Sequence, residues 1–102
     1  YRAIKQVSVL GLPMVITENG LADAKDVHRE DFFTRYLYAV RRALYEGYDV
    51  REYIVWSVID NFEWAKGFAP RFCLFSVNYT TQERSLRNGS HAFIDIVNRS
   101  KQ

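Results

Sequence analysis

Apolar residues along this chain form two short uninterrupted runs with a helical repeat between them. The first run, at residues 13–16, stops at the polar residues 17–20, and the second, at 53–57, leads into a segment rich in acidic, amide and aromatic side chains. Short apolar runs with polar borders are typical of buried strands. The sequence therefore predicts strands at 14–17 and 53–58, each followed directly by polar side chains.

The segment between the two strands has the spacing of a long amphipathic helix. It runs from about Asp31 to Glu46, and Gly47 is expected to cap its carboxyl end. Apolar side chains at intervals of three and four residues form its buried face: Phe33, Leu37, Val40 and Leu44, flanked by Phe32, Tyr36 and Ala43. Strand, helix and strand in this order form a βαβ unit, whose two strands are parallel.

The flanking segments are shorter and less regular. Apolar residues at helical spacing predict a first helix that ends at Gly11, and residues 48–51 are expected to form a turn before the second strand. Weak alternation over residues 72–79 predicts one further short strand. Ser90 is expected to cap a final helix that continues through Val97.

Two parallel strands leave both faces and both edges of a sheet open, which is not a stable arrangement. A chain of 102 residues can bury one modest core. We therefore interpret residues 1–102 as a single partial domain of the α/β class, equivalent to about the last quarter of a larger parallel assembly. The missing strands are expected from sequence outside these residues or from another chain.

Composition excludes several classes of function. The net charge of +2 is too small and too evenly spread for a nucleic-acid interface, and no apolar stretch approaches the length of a membrane span. Cys73 is the only cysteine, so neither an internal disulfide nor a zinc cluster is expected. This usage favours a reducing, cytoplasmic location, although three Asn-x-Ser/Thr triplets keep secretion as an alternative. The aromatic share of 16% suits either a core or a surface that stacks on sugar rings or bases.

Glu18 is the strongest candidate for chemistry. In α/β barrels the active site lies at the carboxyl ends of the strands, and Glu18 comes at such an end, directly before Asn19 and Gly20. A carboxylate held there is placed to attack an anomeric carbon and form a covalent intermediate. The alternative is a glutamate that caps a helix or bridges a loop.

A second group of candidates follows the second strand. Glu63 and Trp64 come seven and eight residues after Trp56 and are expected to face the same cleft as Glu18. A carboxylate accepts hydrogen bonds from vicinal sugar hydroxyls, and an indole offers a stacking face and an N–H donor. Two alternatives stay open: a buried aromatic cluster in which Glu63 pairs with Arg71, or an acid–nucleophile pair formed by the two glutamates, which retaining glycosidases hold about 5–5.5 Å apart.

Four motifs follow one another along the chain. They are Ile16-Thr17-Glu18-Asn19-Gly20, then Val55-Trp56-Ser57-Val58-Ile59-Asp60-Asn61-Phe62-Glu63-Trp64, then Gly67-Phe68 and finally Arg71-Phe72. In these motifs, over nearly its whole length, the chain resembles glycoside hydrolase family 1, which includes β-glucosidases, β-galactosidases and 6-phospho-β-glycosidases. The resemblance implies the C-terminal portion, strands 7–8 and their helices, of a (β/α)8 TIM barrel.

The resemblance also implies a role for each candidate. Glu18 would be the nucleophile, so that Glu63 is not the acid, and Trp56 would form the floor of the sugar subsite. Glu63 would bind the hydroxyls at carbons 4 and 6, and Trp64 the hydroxyl at carbon 3. Phe72 would lie near carbon 6.

The activity implied is that of a retaining β-glycosidase acting on a β-linked glycoside or oligosaccharide, with no metal or organic cofactor.

The family's general acid lies in an Asn-Glu-Pro motif on strand four, and that triplet is absent from these 102 residues. We therefore expect the isolated chain to be inactive and to need the N-terminal barrel portion as its partner. The alternative is a truncated, non-catalytic carbohydrate-binding or interaction fragment. Cys73, where the family usually has glycine, departs from the pattern outside the sugar contacts.

Overall fold

The computed structural model describes residues 1–100. Its helices and strands follow the predicted order, with one additional strand. In chain order they are α1 (Arg2–Val7), β1 (Met14–Asn19), α2 (Arg29–Tyr45), β2 (Val50–Val55), β3 (Phe75–Val77), β4 (Arg84–Leu86) and α3 (His91–Arg99). Short 3-10 helices lie at Ser8–Leu10, Trp64–Lys66 and Asn88–Ser90.

The predicted βαβ unit is confirmed, because β1 and β2 pair in parallel and α2 connects them. The predicted bounds of β2 are wrong by about three residues at each end. The Met14 amide donates to the carbonyl of Asp49 at 2.8 Å, so strand pairing begins inside the expected turn at 48–51. At the other end, Trp56 donates its amide to Asn19 at 3.0 Å, and the strand stops at Val55.

Helix α2 begins two residues earlier than the hydrophobic pattern predicts. The Asp23 carboxylate accepts hydrogen bonds from the amides of His28 and Arg29, at 2.7 and 3.1 Å. These bonds satisfy amide groups that the first turn of a helix leaves without a partner. At the other end, Gly47 follows the helix with a φ of +87°, a left-handed conformation that suits glycine, so the predicted stop is confirmed.

A small apolar core lies between α1, α2 and the two parallel strands, and it contains Ile4, Met14, Ala43 and Val50. The predicted buried face of α2 is only partly covered: Phe33 is fully buried, whereas Leu44 is 50% exposed. The faces of the strands are also open, since Val15 and Ile54 are 45% and 47% exposed. Such exposure is what a parallel sheet of only two strands leaves.

A β-hairpin follows the parallel unit. The predicted strand within 72–79 is confirmed as β3, but the pattern missed β4, with which β3 pairs in antiparallel fashion. The Asn78 side-chain oxygen accepts from the amides of Thr80 and Thr81, which is a typical way to close such a turn.

Helix α3 is confirmed, and Ser90 occupies its N-cap position as predicted, but without the side-chain hydrogen bond of a cap. Ser90 makes no capping hydrogen bond; its hydroxyl instead donates to the carbonyl of Leu74 at 3.0 Å, which ties the start of the helix to the segment before β3. Among residues 1–100, no helix is both long and apolar enough to cross a membrane.

Candidate active site

Four of the five predicted site residues surround one open concavity of about 280 Å³. Glu18 and Gly20 come from the end of β1 and the loop after it, here called the first wall, and Trp56, Glu63 and Phe72 come from the polypeptide after β2, here called the second wall. The first wall lies at the carboxyl end of β1 and the second begins directly after the carboxyl end of β2, as the order of elements predicts. Trp64 does not line this concavity, and its side chain is 83% exposed.

Glu18 is the penultimate residue of β1, and its side chain is exposed. Its neighbour Asn19 is held on two sides: the carbonyl accepts the Trp56 amide, and the side-chain oxygen accepts the Tyr53 hydroxyl at 2.6 Å. Burial raises the pKa of Tyr53 to about 12. The phenol therefore stays protonated and able to donate over a wide pH range.

Gly20 allows the two walls to approach closely. A Cβ atom at this position would lie 1.8 Å from the carbonyl oxygen of Trp56, closer than side chains ever approach in real structures. The glycine is therefore required by backbone packing between the two strand ends.

An aromatic and a carboxylate side chain are hydrogen-bonded to each other in the second wall. The Trp56 indole N–H donates to Glu63 Oε1 at 3.1 Å, and the peptide bond between Trp56 and Ser57 is cis. The Glu63 amide donates to the carbonyl of Gly67 at 2.7 Å, which closes a tight turn around the 3-10 helix. The turn fixes the backbone of Glu63, and the indole orients its carboxylate.

The alternative pairing of Glu63 with Arg71 is wrong, because Arg71 pairs with Asp60. Asp60 Oδ2 accepts from Arg71 at 3.0 Å, from Arg87 at 3.2 Å and from the Val77 amide at 3.2 Å. The Asp60 side chain is 1% exposed, and its other oxygen has no protein partner. This carboxylate connects the polypeptide after β2 to the hairpin.

Cys73 is buried beside this network, with its sulfur 2.8 Å from the hydroxyl of Ser57. Burial raises the pKa of the Cys73 thiol, and the hydrogen bond from Ser57 offsets only part of that rise. The side chain lies behind the concavity and does not line it.

Arg29 is a buried residue behind the site, and the hydrophobic pattern did not predict its burial. Its side chain is fully buried at the start of α2 and is hydrogen-bonded to polypeptide behind both walls. Only its position, in a polar stretch just before an apolar repeat, marks it in the sequence. A charged side chain there ordinarily stays in solvent, so the pattern alone favours exposure.

The chemistry available in the concavity is that of carboxylates, an indole and a phenyl ring. An exposed carboxylate and an indole-bound carboxylate line the same concavity, which offers hydrogen-bond acceptors and aromatic side chains together, a combination suited to a sugar ring. Within residues 1–100, no three or more His, Cys, Asp or Glu side chains come together in a way that could hold a metal ion.

Comparison with known proteins agrees with the resemblance. The family model described as glycosyl hydrolase family 1 matches residues 4–102. A beta-galactosidase of Pyrococcus woesei is 41% identical over 95% of this chain and 19% of its own length. A bifunctional beta-D-glucosidase/beta-D-fucosidase of Bifidobacterium breve is 48% identical over 72% of this chain and 19% of its own.

Solved structures match the fold as well as the sequence. A hyperthermophilic beta-glucosidase from Pyrococcus furiosus superposes with a TM-score of 0.91 at 43% identity, covering 96% of this chain and 21% of that one. Fpglu1 from Fervidobacterium pennivoraus superposes with a TM-score of 0.92 at 39% identity, covering 100% of this chain and 22% of that one.

The β-glycosidases of this group are TIM barrels, and this chain folds like one part of them. It spans about a fifth of the length of the curated relatives it matches. The family match covers almost every residue, including both strand-end motifs around the concavity. The chain belongs to glycosyl hydrolase family 1.

Proposed function

We propose that this chain forms strands 7–8 of a retaining β-glycosidase barrel with their helices, and that it supplies the nucleophile and part of the sugar subsite. One observation carries the proposal: exposed Glu18 shares a concavity with the hydrogen-bonded pair of Trp56 and Glu63 in a chain of this family. The exposed carboxylate lies at the carboxyl end of β1, and the proposed hydroxyl-binding groups come after the carboxyl end of the adjacent parallel strand β2.

In the proposed reaction a carboxylate oxygen of Glu18 attacks the anomeric carbon, and the bond from that carbon to the aglycone oxygen breaks. The departing oxygen takes a proton from a general acid. The Asn-Glu-Pro triplet expected to carry that acid does not occur in these residues, so the acid is assigned to the remaining barrel. Water then attacks the anomeric carbon and gives a proton to the conjugate base of the general acid, while the bond to Glu18 breaks; Glu18 is regenerated as a carboxylate and the product has retained configuration.

The second wall is proposed to hold the sugar. Trp56 occupies one lone pair of Glu63 Oε1, which leaves the other carboxylate oxygen free to accept from the hydroxyls at carbons 4 and 6. The Trp56 ring forms the floor, and Phe72 approaches carbon 6. Trp64 is assigned the hydroxyl at carbon 3, as an outer contact, because its exposed indole lies outside the concavity.

We assign the substrate, the partner, the cofactor requirement and the location of the protein as follows. The substrate is a β-linked glycoside or oligosaccharide, the partner is the rest of the barrel, and two carboxylates suffice for the chemistry without a cofactor. We assign a cytoplasmic location from the cysteine usage, a single Cys73 that is buried beside Ser57.

A chimera tests this proposal. The segment of the Pyrococcus furiosus beta-glucosidase that matches this chain is replaced by residues 1–102, and hydrolysis of an aryl β-glucoside is measured. We expect turnover, and we expect an activated 2-deoxy-2-fluoro glucoside to label Glu18, as identified by peptide mass mapping. Glu18→Gln should reduce kcat on the order of 10⁴-fold, because the amide is a poor nucleophile.

Glu63→Gln is the matched control, since it makes the same chemical change on the opposite wall. It should raise KM and lower kcat/KM by about 10- to 100-fold, as expected when one charged hydrogen-bond acceptor is lost. A label on Glu63 would show that the nucleophile is assigned wrongly. A folded chimera that binds glucose without turnover would favour the non-catalytic fragment, and a chimera that does not fold would contradict the proposed placement in the barrel.

A further inference from the structure

The guanidinium group of Arg29 has every one of its five N–H donors engaged, although the side chain is fully buried. Its partners are Asp26 Oδ1 (2.7 Å) and four backbone carbonyls, those of Phe72 (2.6 Å), Asp23 (2.8 Å), Arg71 (3.1 Å) and Leu21 (3.4 Å). Two of these carbonyls lie in the loop after β1 and two lie in the polypeptide after β2. The side chain of Arg29 therefore connects the loop after β1 to the polypeptide after β2.

These two segments form the backs of the two walls. The loop after β1 (residues 20–28) starts immediately beyond Glu18 and Asn19. The Phe72 carbonyl that Arg29 holds belongs to a residue of the second wall. A backbone hydrogen bond of 3.0 Å from Asp23 to Arg71 runs alongside.

We propose that Arg29 is a positioning residue that sets the separation between the Glu18 wall and the Phe72 wall of the concavity. The inference rests on the function proposed above, since it concerns the shape of that same site. The planar guanidinium directs its donors along fixed, diverging lines, so it reaches carbonyls on both segments at once. A lysine ammonium has three donors on one nitrogen and cannot span the same set.

The side chain is itself held in place from behind. Asp26 binds Arg29 through Oδ1, and its Oδ2 accepts the Gly89 amide at 2.8 Å. A Cβ atom at Gly89 would lie 2.7 Å from the Cβ of Arg29 and 2.9 Å from the Glu30 amide. The polypeptide at the start of α3 therefore packs directly on Arg29 and leaves it no room to shift.

The test is made in the chimera, with constants expressed per active site titrated by the fluoroglucoside. For Arg29→Lys we expect KM to rise and kcat to fall, with kcat/KM per titrated site about 10- to 100-fold lower, because a misplacement of about 1 Å costs up to about 100-fold. Asp26→Asn, which keeps the shape of the side chain but weakens its hold on Arg29, should give a smaller change in the same direction.

Phe33→Leu is the control, because Phe33 is fully buried on the same helix but does not line the concavity. It should lower thermal stability and the titratable fraction while leaving the constants per site within about twofold of the parent. The inference is overturned if Arg29→Lys behaves in this way too, losing sites but not activity per site. Labelling of Glu18 in the parent chimera tests the proposed function separately, so the two failures are distinguishable.

Discussion

Gly20→Ala places a methyl group where the structure has backbone. The new Cβ would lie 1.8 Å from the carbonyl oxygen of Trp56 and 2.9 Å from its carbonyl carbon. Contacts under 3.0 Å are essentially never made by real Cβ atoms, so the two strand ends must separate by about 1.2 Å. Neither atom belongs to a flexible side chain that could turn away.

The cost of this separation follows from what connects the two strand ends. Forcing a methyl group into packed backbone costs about 1–3 kcal/mol, and the 3.0 Å hydrogen bond from Trp56 to Asn19 is worth about 0.5–1.5 kcal/mol more if it breaks. The effect on catalysis is larger. Because Glu18 and Trp56 both line the concavity from the ends of different strands, a displacement of about 1 Å between those ends should lower kcat/KM by about 100-fold.

The assay is steady-state hydrolysis of an aryl β-glucoside by the chimera, with thermal unfolding followed in parallel. Gly11→Ala is the matched control: its φ of +65° makes any side chain strained, but an added Cβ meets no atom within 4 Å. It should cost about 1–2 kcal/mol of stability and leave the site unchanged. A Gly20→Ala chimera that keeps kcat/KM within about threefold of the parent would refute the argument from close packing.

Three further predictions concern the residues around the site. Asp60→Asn should destabilise the chimera by about 3–5 kcal/mol in urea unfolding, because Arg71 and Arg87 lose a buried partner; a loss under about 1 kcal/mol would contradict the importance of this network. Burial raises the pKa of Tyr53 from 10.0 to about 12, so the folded state keeps a proton that the unfolded state releases. Its stability contribution should be complete below pH 10 and should disappear as the pH rises to about 12, a loss that Tyr53→Phe must lack if the assignment is right. The Cys73 thiol, buried and with its pKa raised, should react with a disulfide reagent only after denaturation, and rapid labelling of folded protein would contradict its burial.

The βαβ unit was predictable because its elements differ in hydrophobic period. The continuous apolar run before Thr17 and the repeat of three and four residues through Phe33 each match one type of element. The start of β2 was not predictable in this way. Val50 and Arg51 join the strand through backbone pairing, which leaves no side-chain period, and β4 was missed for the same reason.

The candidate site was predictable as far as it depends on residue type at the end of a strand. Glu18, Trp56 and Glu63 share the concavity, as their order along the chain suggests, and Phe72 joins them, as only the family resemblance implied; their roles stay predictions. Trp64 was expected in the same place, but the backbone there adopts a φ of +48° and the indole extends into solvent. Adjacent side chains in a tight turn diverge, and sequence spacing does not reveal where each of them points.

The strands leave apolar side chains exposed, whereas the polypeptide behind the site buries charged side chains. Val15 and Ile54 on the strands are about half exposed, whereas Arg29 and Asp60 behind the site are buried, the reverse of the usual ranking of these residue types. A charged side chain such as Arg29 stays buried only where its donors find acceptors, and here all of them lie within these residues. The separation of the two walls is thus set by contacts inside the chain, while the strands need more apolar surface than the chain provides. Substitutions on the strand faces should therefore decide whether the segment joins a barrel, and substitutions at Arg29 should decide the shape of the site once it has joined.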